Sequence, residues 1–456
     1  MVGSQLLGLL EARAESGQPL RVGLIGAGRF GTMFLGQALR IQGLQVLGIA
    51  DLSVSRAFEA LSQAGWPPAQ FGAGSLSEAL EAGSSYVTDD AESLIEASGL
   101  EVVIEATGDP RAAIDYAVRA IENGRDVVMA TVEADVLAGP LVARRAQRAG
   151  LVYSLAYGDQ PALICELVEW ARANGFEVIC AGKGVKYVPQ YRKCTPDTVW
   201  EHYGTDPDVA ARDGLNPRTY TAAIDGTKAA VEMAAVANAT DLIPQPEGLL
   251  FPPCGVEDLA RVCRPRWDGG ALAHPHTVEA LASLHRDGRP VARDLRHGVF
   301  VTLKAQSEYV RRCFAEYLLT DASGWYAAVY RPYHLVGLEV LTSVLKVGLR
   351  DEPTGFPTGF RADVVGCAKR ALAAGTVLDG EGGYSLYGKL MRAHDALDMQ
   401  ALPAGLTHGL TLKNALQADE VLRWEDVECD ETDPVVSLRR EMERSMLTSQ
   451  PGHARP

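Results

Sequence analysis

The stretch Arg21–Asp51, RVGLIGAGRFGTMFLGQALRIQGLQVLGIAD, restricts the fold more than any other part of the chain. Val22, Leu24 and Ile25 form a short apolar run of the kind found in buried parallel strands. The run passes into Gly26-Ala27-Gly28-Arg29-Phe30-Gly31, a G-x-G-x-x-G spacing. Thr32–Ile41 then reads as a helix, and Gln45–Ala50 as a second strand ending on Asp51. In such a turn Gly26 permits the tight bend, Gly28 leaves room for a pyrophosphate, and Gly31 lets helix and strand pack closely. The free N–H groups and the dipole of the helix start favour phosphate charge. Asp51 follows Gly31 at the spacing, about 20 residues, where an acid binds a ribose diol. Strand, turn, helix and acid together point to a bound dinucleotide, with Thr107 and Gly108 of a later strand-end turn beside its nicotinamide side. Asp51 would repel a ribose 2′-phosphate and so leans toward NAD. Ser53, Ser55, Arg56 and Arg29 offer groups for that phosphate, so NAD and NADP both stay open.

A chain of 456 residues is expected to hold more than one domain. Its formal net charge of −15 argues against nucleic acid, which asks for a basic face, and an anionic substrate would need a local positive pocket. Eight cysteines are scattered without a C-x-x-C, so neither a zinc knuckle nor a disulfide framework is implied, and reduced cytoplasmic thiols are the simple reading. No apolar run reaches the ~18 residues of a membrane span. Ser4–Glu15 resembles an amphipathic helix rather than a signal peptide.

Past Asp51, helices are expected at Ser53–Ala64, Leu76–Ala82, Asp90–Ala97, Ala112–Asn123 and Leu141–Ala149. They alternate with strands at Tyr86–Thr88, Val102–Glu105, Asp126–Ala130 and Leu151–Leu155, which argues for a doubly wound parallel sheet over residues 1–156. A second, α+β region spans 157–350. It opens with a helix at Ala162–Asn174 and a strand at Glu177–Gly182 that runs into Lys183-Gly184-Val185-Lys186. An irregular polar stretch to Arg218 precedes a strand at Thr219–Asp225 and a helix at Lys228–Thr240. Residues 248–296 resist assignment. Val299–Lys304 and Trp325–Tyr330 read as strands of one sheet, and Leu335–Gly348 as a helix that packs back on the first domain. A third, β-rich module is expected at 360–430, because Lys369–Leu378 aligns with Lys413–Leu422, each a short turn introducing a strand. The tail, 431–456, reads as helical and then disordered.

Taken together, the glycine turn, Glu105-Ala106-Thr107-Gly108, Val132-Glu133-Ala134-Asp135, Ala181-Gly182-Lys183-Gly184, the run from Val231 to Thr240 and Arg331-Pro332-Tyr333-His334-Leu335 resemble a known family. Its members join a homoserine-dehydrogenase-like, NAD(P)-binding domain to a C-terminal SAF domain, and the chain looks similar to the deoxyxylulose-phosphate-reductoisomerase-like (type II) enzymes. The resemblance implies hydride transfer from NADPH, coupled to rearrangement of a sugar-phosphate skeleton. Where homoserine dehydrogenases carry Asn-Lys, this chain has Val132-Glu133, which argues against homoserine as the substrate.

Hydride transfer to a carbonyl needs a proton donor at the oxygen and stabilisation of the developing alkoxide. Lys183, at an expected strand end, is the first candidate, with Glu232 and His334 as further acid/base groups. Lys186 and Arg331 suit a carboxylate or phosphate, while Glu133, Asp159 and Asn238 suit substrate hydroxyls. Glu133, Asp135 and Asp159 would also serve a divalent metal, so the metal requirement stays open. His274-Pro275-His276 is too sparse a ligand set to assign one. The expected chain is therefore a homo-oligomeric (dimeric) oxidoreductase acting on a small polar, anionic hydroxy or oxo compound. The competing expectation is a sensor or scaffold that binds NAD(P) without turning it over.

Overall fold

The structure, a computed structural model, describes residues 5–449. The disordered tail end expected above lies outside the described residues. The chain divides into two compact units. One is Met1–Leu163 with Leu335–Pro357, and the other is Ile164–His334 with Thr358–Pro456.

The first unit is built on six parallel strands, β1 (Leu20–Ile25), β2 (Leu44–Ala50), β3 (Tyr86–Thr88), β4 (Val102–Glu105), β5 (Asp126–Met129) and β6 (Tyr153–Leu155). Their order is β3-β2-β1-β4-β5-β6, the doubly wound arrangement whose strand order reverses between β1 and β4. The strands are short and almost entirely buried, as an apolar run covered by helices on both faces must be. Ser53, Ser75, Asp90 and Asp109 cap the N-termini of the intervening helices with their side-chain oxygens. Each such cap is worth about 1 kcal/mol. The helix Leu341–Arg350 contributes Val344, Leu345 and Val347 to the same core.

The second unit contains a five-stranded sheet of β7 (Glu177–Val185), β8 (Thr277–Ala282), β9 (Val299–Lys304), β10 (Leu319–Thr320) and β11 (Tyr326–Arg331), in the order β10-β11-β9-β7-β8. Only β7 and β8 pair in parallel. The helix Thr227–Thr240 is buried on nearly every side, which its small residues allow. It packs against this sheet and against a hairpin of β12 (Ala362–Ala368) and β13 (Leu386–Arg392).

The repeat seen in the sequence is a two-fold relation in the backbone. Leu372 and Leu416 exchange both N–H···O bonds at 2.9 Å. The flanking bonds recur in equivalent pairs: Gly375 N–H to Leu412 with Asp419 N–H to Ala368, and Leu378 N–H to Leu410 with Leu422 N–H to Gly366. Gly375 and Asp419, equivalent in the alignment, both have positive φ.

Several expected elements differ. The segment Thr219–Asp225 is not a strand but the end of a helix, Pro217–Asp225. Asn216 caps it and Pro217 supplies the pre-set φ of a first helical position, which outweighs the β-branched threonines. The helix expected from Leu141 begins at Val132 and carries Pro140 inside it. The helix expected from Leu335 begins at Leu341, after a turn where Gly337 has φ +75°. The strand expected to end at Gly182 continues to Val185, so Lys183 lies within β7 rather than after it. The polar stretch after Tyr187 holds short helices at Val199–Tyr203 and Pro207–Arg212.

Because Leu372 and Leu416 are both buried at the pseudo-dyad, replacing either with Ala is expected to destabilise the protein by a similar amount, roughly 2–5 kcal/mol. Equilibrium denaturant melts of the two variants check this. A loss confined to one of them would contradict the two-fold relation.

Candidate functional site

In the first unit the glycine turn is formed as its spacing requires. Gly26 has φ +100°, and a Cβ there would fall 2.4 Å from the Ala106 carbonyl oxygen. A Cβ on Gly31 would fall 2.4 Å from the Gly26 oxygen. Gly28 differs, because no atom lies within 4 Å of the position of its missing Cβ. It is also the N-cap of the helix Arg29–Ala38, and no side chain caps that end. An open helix N-terminus behind a bare glycine is a suitable cradle for a phosphate. Phe30, on the first turn, packs against the core.

Asp51 is tied into this turn. Its Oδ2 accepts from the Ala27 N–H at 2.8 Å, and its Oδ1 accepts from the Ser53 N–H at 2.8 Å and from Arg56 Nε at 3.0 Å. Burial works against ionisation here. The bonds from Arg56, Ser53 and Ala27 outweigh it and hold the carboxyl below its usual range. The Asp51 charge is therefore matched by a half-exposed guanidinium.

Beyond β4, the Thr107 N–H donates to Glu105, and the Gly108 N–H, in a turn with φ +73°, donates to Thr131 Oγ1. Glu133 lies in the first turn of the helix Val132–Arg148. Asp159 is buried, its Oδ1 accepting from the Gln160 N–H. Sequence reasoning did not anticipate two buried carboxyls at this end of the sheet. Burial pushes Glu105 up to about 7, against the bonds from Thr107 and Thr131. Burial also pushes Asp135 up to about 7, against the bond from the Tyr153 hydroxyl at 3.0 Å. Among the described residues no three His, Cys, Asp or Glu side chains gather as a metal-binding group. His274 and His276 both hydrogen-bond to backbone carbonyls.

In the second unit Lys183 and Glu232 form a buried ion pair that joins β7 to the helix Thr227–Thr240. Across the sheet Lys183 stands opposite Val299, which stands opposite Arg331, so the three occupy one row over β7, β9 and β11. The Arg331 guanidinium stacks 4.4 Å from the Tyr333 ring centroid. His334 bonds the His297 carbonyl through Nδ1 at 2.8 Å, and the two imidazoles are 6.4 Å apart. Burial, then Arg296, His334 and Lys183, push the His297 imidazole below its usual value. Lys186 donates to the Tyr203 carbonyl at 2.9 Å, while Arg296 sits 5.2 Å from the Tyr203 ring. Burial and then the charge of Arg296 lower the Lys186 pKa.

Lys183, Glu232, His334, Arg331 and Lys186 thus belong to one unit, together with Arg296, at the end of the region that resisted assignment, and His297, just past it. The signal for the last two was their place at the mouth of a strand. Asn238 is differently engaged. Its carboxamide is fully buried, with Oδ1 accepting from the Arg361 and Ala362 N–H groups at 2.7 and 2.9 Å.

Residues 158–340 match the family described as Oxidoreductase DRL, catalytic domain. A search of curated proteins finds no match. Among solved structures, the chain is similar to myo-inositol dehydrogenase from Lactobacillus casei in complex with NAD(H) and myo-inositol, at 14% identity over 41% of this chain and 52% of that one, with a TM-score of 0.30. It is also similar to biliverdin reductase from Synechocystis in complex with biliverdin and NADP+, at 18% identity over 38% and 50%, with a TM-score of 0.27. The chain spans about half the length of these structures, and likeness at this level says nothing of its chemistry.

Two outcomes follow from this geometry. Gly28→Ala, with φ −71° and open space for its methyl, is expected to leave the melting temperature within about 2 °C of wild type. It should weaken binding of a nicotinamide dinucleotide by about ten-fold or more, read by quenching of protein fluorescence; unchanged affinity would remove the turn from the binding site. Asp135 is raised in the folded state, so its protonated form contributes stability that is complete below about pH 4 and lost as pH rises toward 7. Asp135→Asn should therefore flatten the fall in stability between pH 5 and 8 and be the more stable protein at pH 8, by up to about 4 kcal/mol. Parallel melting curves for the two proteins would contradict this.

Proposed function

We propose that the protein is an NAD(P)-dependent oxidoreductase that interconverts a carbonyl and an alcohol on a small anionic hydroxy or oxo compound. The observation that carries the reading is the buried Lys183–Glu232 pair in the C-terminal part of β7, with Lys186, Arg296 and His297 near that strand's end. The match to an oxidoreductase catalytic domain over residues 158–340 supports it. Gly26–Gly31, Asp51, Arg56, Thr107 and Gly108 are the residues that would hold the dinucleotide, and the open space at Gly28 fits its phosphates. When bound, the nicotinamide supplies or accepts the hydride.

The chain's own part is proton and charge management. Lys183 donates a proton to the carbonyl oxygen as hydride reaches the carbon, and takes it back in the reverse direction. Glu232 holds the ammonium in place, since a buried lysine without its counter-charge would be displaced. Lys186 and Arg296 bind the anionic end of the substrate, and Arg331 offers a planar fork for a carboxylate or phosphate. His334 and His297 exchange protons with water at the edge of the site. Glu133 and Asp159 are proposed to bind hydroxyls. The pairing of Asp51 with Arg56 offsets the repulsion that favoured NAD, so the reading covers both nucleotides. The finer reading is a sugar phosphate whose skeleton rearranges before reduction, in a homodimer whose pseudo-symmetric module is SAF-like.

Incubation with sugar phosphates and hydroxy acids, following absorbance of the reduced nucleotide, tests the proposal. Lys183→Met is expected to lower kcat by about 10²–10⁴-fold with nucleotide affinity unchanged. Full activity in the variant would remove Lys183 from the mechanism, and no turnover by wild type across the panel would favour the sensor.

A further inference from the structure

A second cleft of about 600 Å³, open mouth included, lies within the second unit on another side of the helix Thr227–Thr240. Gly226 and Ala230 line it, one turn apart, whereas Glu232 is about 200° further round the helix from Ala230. It is a different place from the Lys183 centre.

The cleft is built at some cost. Phe251 is held at φ +50°, a conformation that strains a bulky residue. The buried Glu279 carboxyl group fixes it there, accepting from the Leu250 N–H at 3.0 Å and the Phe251 N–H at 3.3 Å. The result is a stack of Phe251 on Tyr187, centroids 3.8 Å apart and planes 22° from parallel. The stack lies over Gly226, where a Cβ would come within 3.3 Å of the Phe251 ring.

Two cations line the same cleft. Arg192 gives its Nε to the Tyr187 hydroxyl at 2.8 Å and lies 5.7 Å from the Tyr387 ring, which leaves the terminal nitrogens of its fork without a hydrogen-bond partner among the described residues. The Lys389 side chain makes no hydrogen bond or ion pair among the described residues, its backbone being paired with Val365 in the hairpin. Three acids also line the cleft. Asp225 is paired with Lys369, Asp419 accepts from the Tyr387 hydroxyl at 3.1 Å while keeping capacity for a second donor, and Glu247 is exposed, where water screens its charge.

We infer that this cleft is a second binding site, for a phosphorylated sugar. The phosphate bridges the Arg192 fork and the Lys389 ammonium, and a sugar hydroxyl donates to Asp419. Arginine and lysine with unspent donors recognise a dianion, and the free lone pairs of Asp419 add selectivity for a hydroxylated ligand. The site is independent of the proposed catalytic function.

Calorimetry with ribose 5-phosphate, inorganic phosphate and ribose, in the absence of any nicotinamide nucleotide, tests it. Ribose 5-phosphate is expected to bind at least about ten-fold more tightly than phosphate or ribose alone. Lys389→Gln and Arg192→Gln should each weaken it by about ten-fold or more. The Lys389 side chain has no hydrogen-bond or ion-pair partner to lose, so Lys389→Gln decides the matter should Arg192→Gln fail to fold. No binding, equal binding of free phosphate, or affinity unchanged in Lys389→Gln would each overturn the assignment. None of these outcomes bears on whether the dinucleotide binds or turns over.

Discussion

The Lys183–Glu232 pair is the contact on which the second unit depends. Two opposite charges taken out of water are tolerable only while each satisfies the other, and removing one partner of such a pair typically costs about 3–5 kcal/mol. The pair fixes the helix Thr227–Thr240 against β7. That helix in turn holds the C-terminal part of the chain at two points. Thr227 Oγ1 accepts from the Gly388 N–H at 2.8 Å, and Asn238 takes the backbone of Arg361 and Ala362. A charge pair that serves chemistry at one face of a helix therefore also sets the position of the β12–β13 hairpin on another.

Charge is distributed unevenly in a way the total conceals. A chain with a net charge of −15 would repel an anionic substrate over most of its surface. Around the C-terminal end of β7 the order is reversed: burial first, and then the charge of Arg296, lowers the affinity of Lys186 and of His297 for protons. Positive charge gathered in this way is unfavourable in the free protein and would be relieved by an anion. In the first unit the opposite holds. Glu105 and Asp135 are buried where their protonated forms are favoured, so the carboxyl end of β4 to β6 carries less negative charge near neutrality than its composition suggests.

What the sequence disclosed and what it hid have physical reasons. The parallel sheet of the first unit was legible because buried strands are continuous apolar runs, and because Gly26, Gly28 and Gly31 leave no alternative to a tight turn. The helix Leu76–Ala82 and the strands Tyr86–Thr88 and Val102–Glu105 fall where the pattern placed them. The helix expected from Leu141 starts at Val132 and runs through Pro140, and the strand expected at Thr219–Asp225 is helix, committed by Asn216-Pro217. In the site, Lys183 and Glu232 were named separately, but their pairing is a tertiary fact: forty-nine residues separate them, and no local period connects a strand to a helix that far on. Arg296 and His297 were missed because the segment before β9 is organised by bonds to other strands rather than by its own periodicity.

The central claim is that the Gly26–Gly31 turn holds a nicotinamide dinucleotide. The most direct measurement is calorimetric titration of the intact chain with NADH and with NADPH. The account predicts a saturable heat corresponding to one nucleotide per chain for at least one of the two. Absence of any heat of association with either nucleotide, from a protein shown to be folded, would contradict it.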